Sequence, residues 1–223
     1  MKLTWHGHAT FYLENDEYTL LTDPNNPETS GYKPYERGAD LVVMSSATDD
    51  FHNNEQLVPG EHEVVNALEL AQTATTYEGH GVTIRAAEAM ENEAHRAGNP
   101  DRNALYRIDI DGLQIGHMGD IGTALSESQT AFFEGIDVLL ALVGGHPVIA
   151  LDDLKTLIDA VKPKLVVPMH FQTLRLKTND ALWLGDFLSY FDESQIDFAL
   201  DSSVHLDKTR LPDDTRILIL DHL

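Results

Sequence analysis

The chain has 223 residues, a formal net charge of −22 with histidine neutral, and no cysteine. The length suits one α/β domain with a sizeable core. The charge repels phosphates and anionic membrane surfaces, so neither nucleic acid nor membrane is an expected partner. Without thiols there are no disulfides and no thiolate metal ligands.

No Pro/Gly/Ser-rich tract, charge block or internal repeat divides the chain, so residues 1–223 read as a single domain. The start shows no signal-peptide pattern and no apolar stretch reaches transmembrane length, so a cytoplasmic location is expected. A small-molecule ligand and homo-oligomerisation both stay open. The acidic residues are spread along the sequence and read as a solubility feature. Adaptation to high salt, where self-repulsion is screened, is the sharper alternative; equal unfolding stability at low and high KCl would sink it.

Residues 2–22 alternate as a β-meander: Lys2 to Trp5, Thr10 to Leu13 and Tyr18 to Thr22, with turn residues Asn15-Asp16-Glu17 between the last two. Residues 24–39 hold prolines and glycines and read as an irregular loop. Leu41-Val42-Val43-Met44 is a strand covered on both faces, followed by a polar loop from Ser45 to Asn54. Further strands are expected at Thr73–Tyr77, Val82–Ala87, Leu105–Ile110 and Leu113–His117. Asp111-Gly112 marks a hairpin between the last two.

Beyond His117 the pattern changes. Ser126 and Gln129 form a capping box for a helix through Phe133, and Ile136 to Val143 is an apolar strand. Leu151, Leu154, Leu157, Ile158 and Val161 recur at helical spacing until Pro163. Leu165-Val166-Val167 is another buried strand, Asp180–Tyr190 a helix and Arg216–Leu220 a closing strand. An all-β first half thus gives way to strand–helix–strand units, which predicts sheets flanked by helices.

Polar residues gather just after the apolar runs: Gly7-His8, Asp23, Asp49 and Asp50, His117 and Asp120, and His170. Rigid strands aim residues at their ends toward one point, so these are candidate site residues. Asp23, followed by Pro24, reads equally well as a turn former. His170 after Pro168-Met169 serves no turn. His6, His62, His80, His95 and His205 read as solvated, and Arg96, Arg102 and Arg175 as surface cations that could at most touch an anion.

Six ordered segments carry a family resemblance: Trp5 to Phe11, Leu21 to Pro24, Ala39 to Val43, His117 to Gly122, Asp137 to Gly145 and Lys162 to Phe171. The chain resembles the metal-dependent hydrolases of the metallo-β-lactamase superfamily, in the branch that includes ascorbate-6-phosphate lactonase-like proteins. The resemblance covers nearly the whole chain. It implies an α/β fold, the four-layer αββα sandwich, with a metal site at one edge of its two sheets.

The family builds that site on a His-x-His-x-Asp-His loop, a later His, the Asp of a Gly-Asp pair and a final His. Here Ser46, Thr48 and Phe51 stand at the loop's His positions and Asp50 at its Asp, while Glu91 falls at the later His. Asp120 and His170 are retained. The resemblance therefore implies a degenerate site that lacks the dinuclear zinc centre and its hydrolysis. The alternative is a reduced, carboxylate-rich single-metal site of Asp50, Glu91, Asp120 and His170, with Asp50 as the catalytic carboxylate. It would take Mn, Fe, Zn or Mg and hydrolyse an ester, lactone or phosphoester. His8, His52, His117 and His146 are expected around the pocket; a one-residue bulge would bring in His52, one place past the lost histidine.

Overall fold

The computed structural model describes residues 1–47, 51–92, 101–145, 147–178 and 180–223. The opening alternation folds as the meander it predicts: β1 (Lys2–Gly7), β2 (Thr10–Glu14) and β3 (Thr19–Thr22), each antiparallel to the next. Asn15 closes the second turn, its Oδ1 accepting from the backbone of Glu17 and Tyr18. A short helix α1 (Pro27–Ser30) follows. The wholly buried β4 (Leu41–Met44) then lies parallel to β3, and β5 (Glu63–Asn66) parallel to β4.

The expected strand at Thr73–Tyr77 is not there. Asn66 caps a helix instead, α2 (Ala67–Thr73), by accepting from the amides of Leu68 and Glu69. The helix-favouring run Ala67-Leu68-Glu69-Leu70-Ala71 then outweighs the threonines, and Ala74 ends it in the left-handed region. The first half is therefore not all-β. Strand β6 (Tyr77–Gly79) starts only where the expected one ended. Strands β7 (Val82–Asn92) and β8 (Asp101–Ile110) outrun their predicted lengths. Asp111 and Gly112, at φ of 50° and 74°, turn β8 into β9 (Leu113–His117), as the hairpin signal requires.

The second half keeps its predicted order. Ser126 and Gln129 form both bonds of the capping box on α3 (Glu127–Phe132). Strand β10 (Val138–Leu142), helix α4 (Leu151–Val161) and strand β11 (Leu165–Met169) follow. The helix expected at Asp180–Tyr190 shrinks to α5 (Leu184–Leu188). The residues ahead of it are drawn into extended pairing: Leu182 N–H donates to the Gly144 carbonyl, and Gln172 bridges to Trp183. Two short strands, β12 (Ile196–Phe198) and β13 (Ser203–His205), carry no clear alternation, and β14 (Arg216–Ile219) closes the fold.

Among the described residues the strands form a 6-stranded sheet, β13-β1-β2-β3-β4-β5, and an 8-stranded sheet, β12-β14-β11-β10-β9-β8-β7-β6. Leu3, Trp5, Phe11, Leu13 and Leu41 of the first sheet pack with Ile84, Ile108, Ile115, Leu140 and Val167 of the second in one buried core. With the flanking helices this is the expected αββα arrangement.

Pairing directions then locate the site. Strand β1 is antiparallel to β2 and β2 to β3, so β1, β3 and β4 all run the same way. By the same reasoning β7 runs with β9, β10 and β11. The amide of His170, after β11, donates to the carbonyl of His8, after β1 (3.2 Å). That bond brings the C-terminal strand ends of both sheets to one edge.

Candidate metal centre

The backbone at this edge is bent where the functional side chains sit. His8, Asp23 and His170 have φ of 54°, 36° and 58°, a region that β-carbons disfavour. Two features hold the bend after β1. Strand β1 slips register against β2 between Trp5 and Gly7. Gly7, at φ 134°, lies so close to the Tyr32 ring that a β-carbon would sit 2.3 Å from it. The His8 carbonyl also accepts from the Trp5 indole (3.0 Å), and that indole packs on Phe171 beyond β11 (5.0 Å). Gly144 is required as well, because a β-carbon there would meet the His170 carbonyl at 2.1 Å.

These bends gather His8, His52 and His170. One nitrogen from each lies within 4.8 Å of the other two. The His8 and His170 rings are 3.8 Å apart, and His52 stands edge-on to His8 at 5.0 Å. Asp120 completes the group: its Oδ1 lies 3.4 Å from His170 Nε2 and its Oδ2 3.9 Å from His52 Nε2. Burial first, then the neighbouring His170 and His52, hold the His8 imidazole well below the usual histidine range. It is therefore neutral, the form that ligates metals.

Behind this group lies a buried frame. Asp23 is fully buried. Its Oδ2 meets His52 Nδ1 at 3.2 Å, and its Oδ1 accepts from the Ser45 amide (2.6 Å) and the Tyr106 hydroxyl (3.4 Å). Burial pushes this carboxyl up, but His117, His52 and the Ser45 amide outweigh it and hold it below the usual carboxylate range. His117 is fully buried too. Its Nε2 donates to the Ala9 carbonyl, its Nδ1 accepts from the Gly119 amide, and its ring stacks on Tyr106 at 4.6 Å. Asn103, which no sequence signal marked, accepts the Asp120 amide on its Oδ1 (3.0 Å).

The sequence-derived candidates divide accordingly. Asp120 and His170 meet at the cluster, and His8 and His52 each bring a ring nitrogen to it. Glu91 and Phe51 line the adjoining cavity of about 190 Å³ with His8, Asp120 and His170. Phe51 stacks against His8 (5.6 Å). His117 supports the cluster from beneath and does not line that cavity. Asp50, Thr48, His146, His95 and Arg96 lie outside the described residues. Asp23 is no mere turn former, and His6 is not solvated: it is buried, stacked on Tyr35 at 4.6 Å.

The donor set can be tested against a metal without reference to any relative. Two buried atoms here, His8 Nδ1 and Asp120 Oδ1, lack a hydrogen-bond partner among the described residues. His52 meets Asp23 through Nδ1 (3.2 Å), and its Nε2 lies on the side of the Asp120 carboxylate (3.9 Å). Three imidazoles and a carboxylate suit a first-row divalent ion, and the Asp23–His52 bond is the outer support such ligands use.

Residues 2–170 match the family model of the β-lactamase superfamily domain. A UPF0173 metal-dependent hydrolase of Thermoplasma acidophilum is 29% identical over 197 residues, which is 79% of this chain and 85% of that protein. One of Staphylococcus aureus is 26% identical over 217 residues, 86% of this chain and 95% of the other. Among solved structures, a Thermotoga maritima protein described as a Zn-dependent hydrolase of the metallo-β-lactamase superfamily superposes with a TM-score of 0.77. It is 29% identical and covers 100% of this chain and 99% of its own. The short form of human tRNase Z, 10% identical over 78% of this chain and 93% of its own with a TM-score of 0.53, shares the fold.

Proposed function

Because the chain belongs to the metallo-β-lactamase superfamily, we propose that it is a hydrolase working through one divalent cation held by His8, His52 and His170, with Asp120 as the fourth group. The observation that carries this reading is the convergence of three imidazole nitrogens within 4.8 Å. The set is richer in nitrogen than the carboxylate-rich one the sequence implied, which moves the preference toward zinc, iron or manganese and away from magnesium.

A divalent ion in such a site supplies Lewis-acid polarisation and lowers the pKa of water. The protein's own groups do the rest. Asp23 fixes the His52 tautomer, so that Nε2 faces the cluster. Asn103 fixes the backbone of Asp120, whose two oxygens face different histidines; one can ligate while the other accepts a proton from water. Phe51 closes one side of His8 against solvent. A carboxylic ester, lactone or phosphoester is the substrate range this chemistry serves.

A second reading is a binding protein that kept the pocket without hydrolysis. It draws on Phe51, an apolar ring where the family places a histidine. Elemental analysis of protein made without chelator separates the two. About one equivalent of metal, lost in His170→Ala, supports the hydrolase. A folded protein that takes up no metal under any supplementation leaves the binding reading.

A further inference from the structure

One side chain ties together the two strand ends that carry His8 and His170. Trp5 lies on β1, three residues before His8, and is 1% exposed. Its indole N–H donates to the His8 carbonyl (3.0 Å), and the same carbonyl accepts from the His170 amide (3.2 Å). Its ring packs on Phe171, the residue after His170 (5.0 Å). Trp5 therefore reaches the turn after β1 and the turn after β11 at once.

The indole is itself held in place. Phe11, Tyr32 and His222 stand around its ring at centroid distances of 6.4, 6.4 and 5.9 Å. The Trp5 amide donates to the Ser202 carbonyl (2.8 Å), and the Trp5 carbonyl accepts from the Leu223 amide (3.2 Å). Backbone and ring are both fixed, and with them the direction of the indole N–H.

The turns it joins need holding. His8 and His170 sit at φ of 54° and 58°, where residues with a β-carbon stay only when their surroundings over-determine them. Released, each turn would relax toward an ordinary backbone and carry its imidazole with it. Zinc–imidazole bonds are about 2.0–2.1 Å long, and a working site has to be held to within about 0.5 Å. A carbonyl shared by donors from both sheets resists that relaxation.

Resting on the metal reading above, we propose that Trp5 is a positioning residue that locks the spacing of the His8 and His170 imidazoles and so raises the affinity of the cluster for a divalent ion. It acts through the His8 carbonyl and Phe171, not as a ligand.

The test is Trp5→Phe, which keeps an aromatic ring and removes the N–H. Leu113→Ala is the control: a buried residue at the start of β9, at the edge of the second sheet far from both turns. In metal-free protein the His170 amide is expected to exchange with deuterium on the order of tenfold faster in Trp5→Phe than in the parent or in Leu113→Ala. Competition with a chromophoric chelator is expected to show zinc and cobalt held about 10- to 100-fold more weakly in Trp5→Phe, the usual loss for an outer support. The visible spectrum of the cobalt-loaded protein is expected to shift with the altered geometry. Leu113→Ala is expected to lose stability and to change neither metal readout. Phe171→Leu removes only the ring the indole leans on. It is expected to move the same readouts by a smaller factor, and it decides the question if Trp5→Phe does not fold. Parental metal affinity in the variant overturns the proposal, and so does an equal loss of affinity in Leu113→Ala. A native protein that binds neither zinc nor cobalt sinks the hydrolase reading; the His170 exchange rate then judges Trp5 alone, and a parental rate overturns its role. Native metal binding that Trp5→Phe leaves intact sinks only the role of Trp5.

Discussion

His6 and His8 lie two residues apart on one strand end, are equally buried at 3% exposure, and do different things. His6 donates its Nε2–H to the Lys33 carbonyl (2.8 Å) and stacks on Tyr35, on the outer face of the first sheet. His8 stands against His170 and His52 at the shared edge of both sheets. In a regular strand residues i and i+2 share a face. The register slip before Gly7 and the left-handed backbone at His8 break that rule and turn the second imidazole into the site. A histidine's role here is set by two backbone torsions, not by its burial.

The two histidines differ most in what they do for a metal. His8→Ala and His170→Ala are each expected to weaken divalent-metal binding on the order of 100-fold or more, since each removes one of few ligands. His6→Ala is expected to leave metal content unchanged. Elemental analysis and competition with a chromophoric chelator read both. Loss of metal in His6→Ala with the fold intact would erase the distinction.

Gly7→Ala tests the bend itself. The new β-carbon would meet the Tyr32 ring at 2.3 Å in a disfavoured backbone region, so a loss of about 3 kcal/mol in denaturant stability is expected. Metal affinity should fall with it, because His8 is displaced. A variant as stable as the parent that still binds metal would show that the bend does not depend on glycine.

Asp23→Asn acts one layer out, behind His52. It keeps the shape but removes the charge that orients His52, and a 10- to 100-fold loss of metal affinity is expected, the usual range for such partners. An unchanged affinity would leave Asp23 with a folding role only.

The smallest effect is in the pH dependence of the metal-free protein. Burial holds His6 below its ordinary value of 6.5, outweighing the Lys33 carbonyl, and burial likewise lowers His117. The folded state then binds fewer protons than the unfolded one. The sign follows: stability is full above 6.5 and falls as pH drops below it, toward the folded values. Asp23, lowered instead from 3.8, contributes stability that persists through that window and is lost only in stronger acid. His6→Gln is expected to flatten the decline between neutral pH and pH 5.5 in thermal melts. An equally steep decline would assign it to other groups.

The sequence carried the fold because alternation, capping and turn chemistry are local. Each hairpin step of the meander, the Ser126 capping box, the Asp111-Gly112 turn and the helix over Leu151–Val161 can be read within about a dozen residues. It failed where a distant partner decided: the Gly144 carbonyl and Gln172 hold the segment before Leu184 extended and shorten the last helix. At the site the sequence supplied Asp120, His170 and the placement of His8 at a strand end. It did not supply Asn103, whose bond to Asp120 spans 17 residues, or the buried Asp23–His52 contact across 29.

The six ordered segments were sufficient on their own to determine the family architecture. Which imidazoles meet was left to the tertiary structure. Ser46 and Phe51 are letters in the loop after β4, but the distance between His8 and His170 is set by where β1 and β11 end and how sharply the backbone turns after them, and His52 is held beside them by Asp23. Strand pairing fixes those ends across the whole chain, and no local window of sequence contains them.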